Sequence, residues 1–182
     1  MSLLIPEPEQ WQRAPFGDSF RELYGFRTSA QVEGQTRTGW MIYERIRPRP
    51  GRGGRFGGFA ALYWMPLVVD STLYYFQQHR GQQQAARWLV QDGAVTADTL
   101  GAFTLDVLNS TADPVSGRDD IAQVMRLQAP PLDIILESQG EQVGHGERFP
   151  KGLAYYRQSL LMATATSPTS GYGMLELILE DD

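Results

Sequence analysis

The longest apolar stretch of the chain spans residues 57–78 and is rich in aromatic and β-branched side chains. In an extended strand, successive side chains point to opposite faces. Tyr63, Met65 and Leu67 would then share one face, with Trp64 and Pro66 on the other, and neither face is polar. A strand that is apolar on both faces must be covered on both, by a second layer or by a ligand. The stretch therefore predicts a β-structure around an apolar, aromatic interior.

Short alternating or β-branched segments, separated by turn signals, continue along the rest of the chain. Asp92-Gly93 predicts a hairpin turn, and Pro130-Pro131 and residues 140–146 and 167–171 predict further turns. The predicted strands span residues 36–47, 57–78, 85–91, 94–97, 103–108, 121–127, 132–138, 153–166 and 172–179. A break of the 57–78 stretch near Pro66 or at Asp70-Ser71 is left open.

The N-terminal segment, residues 1–34, has a different pattern. Phe16, Phe20, Leu23 and Tyr24 follow the spacing of one helical face, which predicts a short helix over residues 17–25 that plugs one end of the fold. Together the elements predict an all-β fold, an antiparallel lipocalin-like β-barrel of eight or nine strands with a short N-terminal helix. A two-sheet sandwich fits the same strand spacing and is the alternative.

Size and composition narrow the class of protein. A chain of 182 residues favours a single domain over residues 1–182, with a flexible Arg/Gly/Pro loop at 47–58. The absence of cysteine excludes disulfides and thiolate metal sites. A net charge of −5 argues against nucleic-acid binding, and no apolar run has the length of a membrane helix. We expect a cytoplasmic protein with no cofactor, no metal and no membrane partner.

The first group of candidate site residues is centred on Tyr43-Glu44-Arg45. If the strand that carries them pairs with the aromatic strand across the loop, a carboxylate and a guanidinium meet aromatic rings in one interior. Desolvation would raise the pKa of an inward-facing Glu44 unless Arg45 paired with it, and a general acid needs such tuning. The predicted catalytic residues are Glu44 and Tyr43, and the predicted ligand-binding residues here are Arg45, Tyr63, Trp64 and Tyr75. The alternative places Glu44 and Arg45 in solvent near a strand end.

A second group lies in the C-terminal part of the chain. Strand alternation places Tyr155, Arg157 and Ser159 on one face, with Arg148 shortly before them. Because arginine binds carboxylates in bidentate fashion, this face predicts a site for a carboxylate-bearing ligand. A solvated outer face is the alternative. His79 and His145 show no metal-ligand spacing, so no metal site is predicted.

Residues 146–179 resemble the final strands of the S-type phycobiliprotein lyases. The resemblance is carried by Glu147-Arg148, by Arg157-Gln158-Ser159 and by Glu176, and the early phrase YGFRTSAQ is similar to that family's opening. These lyases are lipocalin-like barrels that attach bilins to phycobiliprotein cysteines. The resemblance implies an open-chain tetrapyrrole whose propionates are held by Arg148 or Arg157, with an acceptor phycobiliprotein as partner. The middle of the chain has no counterpart in the family.

Three functions stay open at this stage. The first is a β-barrel that binds an extended hydrophobic, carboxylate-bearing small molecule, as a bilin lyase or chromophore chaperone. The second is a cofactor-free cyclase or isomerase of natural-product biosynthesis acting inside the barrel. The third is a non-enzymatic interaction module with a filled core. The sequence leaves both a monomer and a homodimer open.

Overall fold

The fold is all-β and antiparallel throughout the part of the chain that the structure describes. The structure, a computed structural model, describes residues 2–16, 21–46, 62–79, 82–112, 118–149, 152–165 and 170–180. For several strand residues, chiefly 140–149, 152–161, 163–165 and 178–180, it describes the backbone alone. Within these residues the only helical element is a 3-10 turn at Pro8–Gln10. The strands are β1 (Ser2–Leu4), β2 (Gln12–Arg13), β3 (Arg21–Val32), β4 (Gln35–Ile46), β5 (Leu62–Val69), β6 (Thr72–His79), β7 (Gln82–Gln91), β8 (Ala94–Thr99), β9 (Thr104–Thr111), β10 (Ile121–Ala129), β11 (Leu132–Phe149), β12 (Gly152–Ala165) and β13 (Ser170–Glu180).

The chain divides into two compact units. The first unit comprises Met1–Arg55, Ser71–Leu73 and Ala86–Thr99, and the second comprises Phe56–Asp70, Tyr74–Ala85 and Leu100–Asp182. Strands β6 and β7 each contribute residues to both. The prediction that residues 1–182 form a single domain stays a prediction.

In the first unit, β3 is the central strand. It pairs with β4 along its whole length on one edge, while β1 and β2 pair with it at separate positions. The indole of Trp88 is fully buried and packs on Gly25. Its Nε1 donates a hydrogen bond of 2.8 Å to the backbone oxygen of Gln12, which is the strand partner of Gly25. A residue without a Cβ is required at position 25, because a Cβ there would lie 2.6 Å from Trp88 Cδ2.

The second unit is one antiparallel sheet in the order β7-β6-β5-β13-β12-β11-β10-β9. One face of its strands forms a continuous apolar core. Its members come from most strands of the sheet and include Met65, Leu67, Val69, Tyr74, Phe76, Ala85, Phe103, Ile121, Ala122, Met125, Leu127, Ala129, Ile134, Leu136, Leu175 and Leu177. Because burial of each large apolar side chain contributes about 1.5–3 kcal/mol, this core is the main source of stability in the unit.

Strand β5 is the central part of the apolar stretch that stood out in the sequence. Met65, Leu67 and Val69 point into the core, while Trp64, Pro66 and Val68 point to the other face, as the alternation predicted. Proline has no N–H to donate to a sheet ladder and is rare in central strands. The β5–β13 pairing accordingly skips the positions around Pro66: Gly173 pairs with Leu67, and the next described pair is Glu176 with Trp64.

Tight turns join consecutive strands. Asp92 and Gly93 both have positive φ, at 50° and 79°, so the predicted hairpin turn is confirmed. Glu33-Gly34 and Asp70-Ser71 form turns with the same left-handed backbone. Pro130-Pro131 links β10 to β11, also as predicted.

Three predicted features differ in the structure. The prediction of an N-terminal helix is wrong for residues 21–25, which lie in β3, while residues 17–20 fall outside the described residues. The prediction of a turn at residues 140–146 is wrong, because these residues continue β11, with a shift of register between Gln139 and Val143. The described pairings form an open series from β9 to β8, so they do not close a barrel. The predicted loop at 47–58 lies outside the described residues.

The contact between Gly25 and Trp88 can be tested by adding one methyl group. Gly25→Ala should destabilise the protein by about 1–3 kcal/mol, because a fully buried indole has little room to move. Gly39→Ala, in strand β4 of the same unit, is the matched control, since no described atom lies within 4 Å of a Cβ at that position. Urea unfolding of both variants measures the difference, and equal midpoints would contradict this account of the packing.

Candidate functional site

One face of the second unit carries a group of aromatic and polar side chains opposite the apolar core. Trp64 on β5 and Tyr75 on β6 meet edge to face, with ring centroids 5.8 Å apart. The hydroxyl of Tyr75 donates a hydrogen bond of 2.5 Å to Oε1 of Gln77, and both residues are buried. We call these three residues the Trp64 face.

The carboxylate of Glu176 belongs to the same face. Glu176 on β13 is the strand partner of Trp64, and directly opposed residues in antiparallel strands project to the same side. Its side chain is half-buried and has an interaction partner of its own. The sheet therefore places an indole and a carboxylate side by side, with the Tyr75 ring in contact with the indole.

The indole N–H of Trp64 is the one buried side-chain polar atom, among the described residues, that has no hydrogen-bond partner. A buried donor left without an acceptor costs about 1–3 kcal/mol, so such groups are rare in folded proteins. The neighbouring Tyr75 hydroxyl is satisfied by Gln77. On the Trp64 face, the indole N–H is therefore the one donor that the described residues leave without an acceptor.

Tyr63 lies on the opposite, core-facing side of β5. Its ring packs against the apolar core, and this burial raises the pKa of its hydroxyl, with the nearby charge of Asp120 acting in the same direction. Asp120 is itself held by a two-point ion pair with Arg118, at 2.9 and 2.8 Å, which lowers the pKa of the Asp120 carboxyl. The predicted ligand-binding residues Tyr63 and Trp64 are thus on different faces.

The predicted group Tyr43-Glu44-Arg45 lies in β4 of the first unit. Strand β4 pairs with β3, and both edges of β5 are taken by β6 and β13, so the predicted pairing of these two strands across the loop is wrong. Tyr43 and Arg45 share one face of β4, while Glu44 lies on the other, opposite Leu23. Arg45 forms its ion pair with Glu22, its strand partner in β3, at 3.8 Å.

The predicted residues of the C-terminal part lie in two paired strands. Arg148 is in β11, and Tyr155, Arg157 and Ser159 are in β12. In β11 and β12, Arg148 pairs with Leu153 and Tyr155 pairs with Gly146. The side chains of all four lie outside the described residues, so their role in binding stays a prediction.

Two groups of residues were missed at the sequence level. Gln77 was part of a glutamine-rich segment that suggested only a polar hairpin end. The available signal was its position two residues after Tyr75, since residues i and i+2 of a strand lie on the same face. Glu22, Arg13 and Trp11 fell within the segment predicted as a plug. Their grouping depends on strand pairing, which periodicity alone does not reveal.

Comparisons with known proteins show a likeness of fold. No family model matches the chain, and no curated protein matches it. Among solved structures, kievitone hydratase from Nectria haematococca is similar, with a TM-score of 0.52 and 16% sequence identity over 92% of this chain. The match covers 55% of the hydratase, so this chain spans about half its length. No cluster of residues suited to a metal ion and no helix able to span a membrane occur in the ranges that the structure describes.

The buried tyrosine gives a prediction on pH. Because the pKa of Tyr63 is raised in the folded protein, the folded state holds this proton more tightly than the unfolded state. The resulting stability is present below the unfolded pKa of about 10 and is lost as the pH rises through the folded pKa. Tyr63→Phe should therefore lose less free energy of unfolding than the wild type between pH about 8 and about 10.5.

Urea unfolding at these two pH values provides the measurement. Tyr172→Phe, a change at an exposed ring on β13, is the matched control. If Tyr63→Phe and the wild type lost the same stability, burial of the phenol would not control its titration.

Proposed function

We propose that this protein binds a small aromatic molecule through the Trp64 face. The observation that carries the proposal is the buried indole N–H of Trp64, which lacks an acceptor among the described residues. The ligand would place an oxygen on this N–H and its ring system against Trp64 and Tyr75. The all-β fold and its likeness to kievitone hydratase support a small-molecule-binding domain. We also propose that the architecture of this domain is lipocalin-like.

The side chains of this face define the ligand's chemistry. The rings of Trp64 and Tyr75 offer apolar contact area, and aromatic pairs add about 0.5–1.5 kcal/mol beyond the area that they bury. The indole is a donor only, so it selects ligands by the presence of an acceptor. Ligand sites are commonly apolar with a few polar groups that fix orientation, which is the composition found here.

A matched pair of ligands tests the proposal directly. 2-Acetylnaphthalene carries a carbonyl acceptor, and 2-ethylnaphthalene has a similar shape without one. We expect the ketone to bind about 5- to 100-fold more tightly, because only the ketone satisfies the buried donor. Trp64→Phe, which keeps an aromatic ring but removes the N–H, should abolish this preference. Equilibrium dialysis measures both affinities.

Trp40→Phe is the control variant, since the Trp40 Nε1 already donates to the backbone oxygen of Ser71 at 2.8 Å. It should leave the preference for the ketone unchanged. Equal affinity for the two ligands in the wild type, or a preference that survives Trp64→Phe, would contradict the proposal. Biliverdin, measured in the same way, tests the lyase alternative: failure to bind, where the ketone binds, would remove a tetrapyrrole as the ligand.

The carboxylate of Glu176 favours a second candidate function, an enzyme that moves a proton on the bound ligand. A carboxylate beside a buried N–H donor is an arrangement that supports enolisation: the carboxylate takes a proton from the carbon next to a carbonyl, and the N–H stabilises the resulting enolate oxygen. A cofactor-free isomerase or cyclase needs such a step.

Hydrogen–deuterium exchange tests this candidate. In D2O, the methyl protons of 2-acetylnaphthalene should exchange faster with the protein than in buffer alone, as followed by proton NMR. Glu176→Gln should remove the acceleration, while Glu137→Gln, at an exposed carboxylate of β11, should keep it. Binding of the ketone without accelerated exchange would leave a binding protein and remove the enzyme.

A further inference from the structure

The first unit carries an aromatic cluster on the face of β3 and β4 opposite Trp88. Trp11 stacks on Phe26 at 4.7 Å with nearly parallel rings and also contacts Tyr43 at 5.3 Å and Tyr24 at 6.3 Å. Tyr43 is 43% exposed, so part of this cluster faces solvent.

Strand register explains why these side chains meet. Tyr24 is the strand partner of Tyr43, and Glu22 is the strand partner of Arg45, so all four project to one face. The short strand β2 adds Arg13, whose partner in β3 is again Tyr24. The indole Nε1 of Trp11 donates to the backbone oxygen of Pro6 at 2.9 Å, which holds the ring over β3.

Among the side chains that the structure describes, Arg13, Arg45 and Glu22 form a charged group at the margin of this cluster. Glu22 lies between Arg13 and Arg45, at 3.7 and 3.8 Å from its two carboxylate oxygens. Its side chain is only 13% exposed, whereas the two arginine side chains are 47% and 51% exposed. The group therefore has a net charge of +1, and most of its solvent-facing surface is guanidinium.

The two ion pairs leave capacity for another anion. Both distances exceed the 2.7–2.9 Å of charge-assisted hydrogen bonds, so neither arginine uses the two-point geometry that it forms with a well-placed carboxylate. Both arginine side chains are about half exposed, and a guanidinium carries five N–H donors, so one contact with Glu22 does not use them all. A second carboxylate would add to the group at little cost in existing contacts, and a single negative charge would match its net charge.

We propose that this face binds an aromatic carboxylate, at a site independent of Trp64. The ring of the ligand packs beside Tyr43, and its carboxylate contacts the guanidinium groups of Arg13 and Arg45. Arginine is suited to this role because its planar fork matches a carboxylate. Glu22 lies between the two arginines, and its charge limits the site to a singly charged ligand.

The probe is 2-naphthoate, with the neutral 2-naphthamide as its counterpart, both measured by equilibrium dialysis in a Trp64→Phe background. This background removes the N–H donor on which the other proposed site depends, so failure here is distinguishable from failure of the proposed function. We expect saturable binding of 2-naphthoate that weakens as salt is raised, because salt screens exposed charges. The amide should bind at least about 10-fold more weakly.

Three variants locate the site. The triple variant Arg13→Gln, Arg45→Gln and Glu22→Gln removes both cations together with the carboxylate that contacts them, and should weaken 2-naphthoate binding at least about 10-fold. Arg37→Gln, at an exposed arginine of the same strand β4, should have no effect. Glu22→Gln alone should tighten binding several-fold, because it raises the local charge from +1 to +2.

Glu22→Gln separates a role of Glu22 in ligand binding from a purely structural role, since loss of a merely structural ion pair would not improve affinity. Binding that is equal in the Arg37→Gln and triple variants would overturn the proposal. Glu22→Gln that leaves affinity unchanged or weakens it, or equal binding of acid and amide, would also overturn it. If circular dichroism shows that the triple variant is unfolded, Tyr43→Leu takes its place and should weaken binding of the naphthoate.

Discussion

The register of strand β5 is the constraint on which the packing of the second unit depends. Both edges of this strand are paired, and its side chains alternate between the apolar core and the opposite face. It lies between β6 and β13, and alternation sends Met65, Leu67 and Val69 into the apolar core. A shift of one residue would put Trp64 into that core and expel Met65 and Leu67. The register is therefore fixed by the core, and Trp64 is fixed on the opposite face as a consequence.

This dependence explains how an unsatisfied donor can persist. The free energy that holds Trp64 in place comes from the buried side chains on the other side of the strand, so the indole need not find its own acceptor. Tyr75, on the neighbouring strand, shows the more usual outcome, since its hydroxyl is bonded to Gln77 within the same strand. A cost of about 1–3 kcal/mol at Trp64 is small beside the contribution of the core, and a ligand would recover it.

Much of the second unit follows from local patterns in the sequence. The alternation of β5 depends on neighbouring residues, and the structure confirms it. The Asp92-Gly93 turn, in the first unit, is equally local and is also confirmed. The first unit was harder, because Phe16, Phe20, Leu23 and Tyr24 have helical spacing while the contacts that decide their structure are distant. Trp88, which packs on Gly25, donates to a residue 76 positions away. No local pattern contains that information.

The same distinction applies to the site residues. Trp64 and Tyr75 were predicted because aromatic side chains stand out in a strand, but Gln77 was not, since only its hydrogen bond gives it a role. Glu44 was predicted as the carboxylate beside Arg45 from adjacency in sequence. Adjacent residues in a strand point to opposite faces, and the actual partner, Glu22, comes from the neighbouring strand.

The two proposed sites differ in the physical basis of selectivity, which has consequences for what each can recognise. At Trp64 the group that selects is neutral and buried, so discrimination comes from the cost of leaving it unpaired and depends little on salt. At Arg13 and Arg45 the selecting groups are charged and about half exposed, so their attraction is screened by water and ions. A buried neutral donor can donate to any oxygen of suitable position, whether charged or not, whereas the arginine pair requires an anion. A ligand with one carbonyl and one carboxylate therefore contains a group for each site, and the balance between the two would shift towards Trp64 as ionic strength rises.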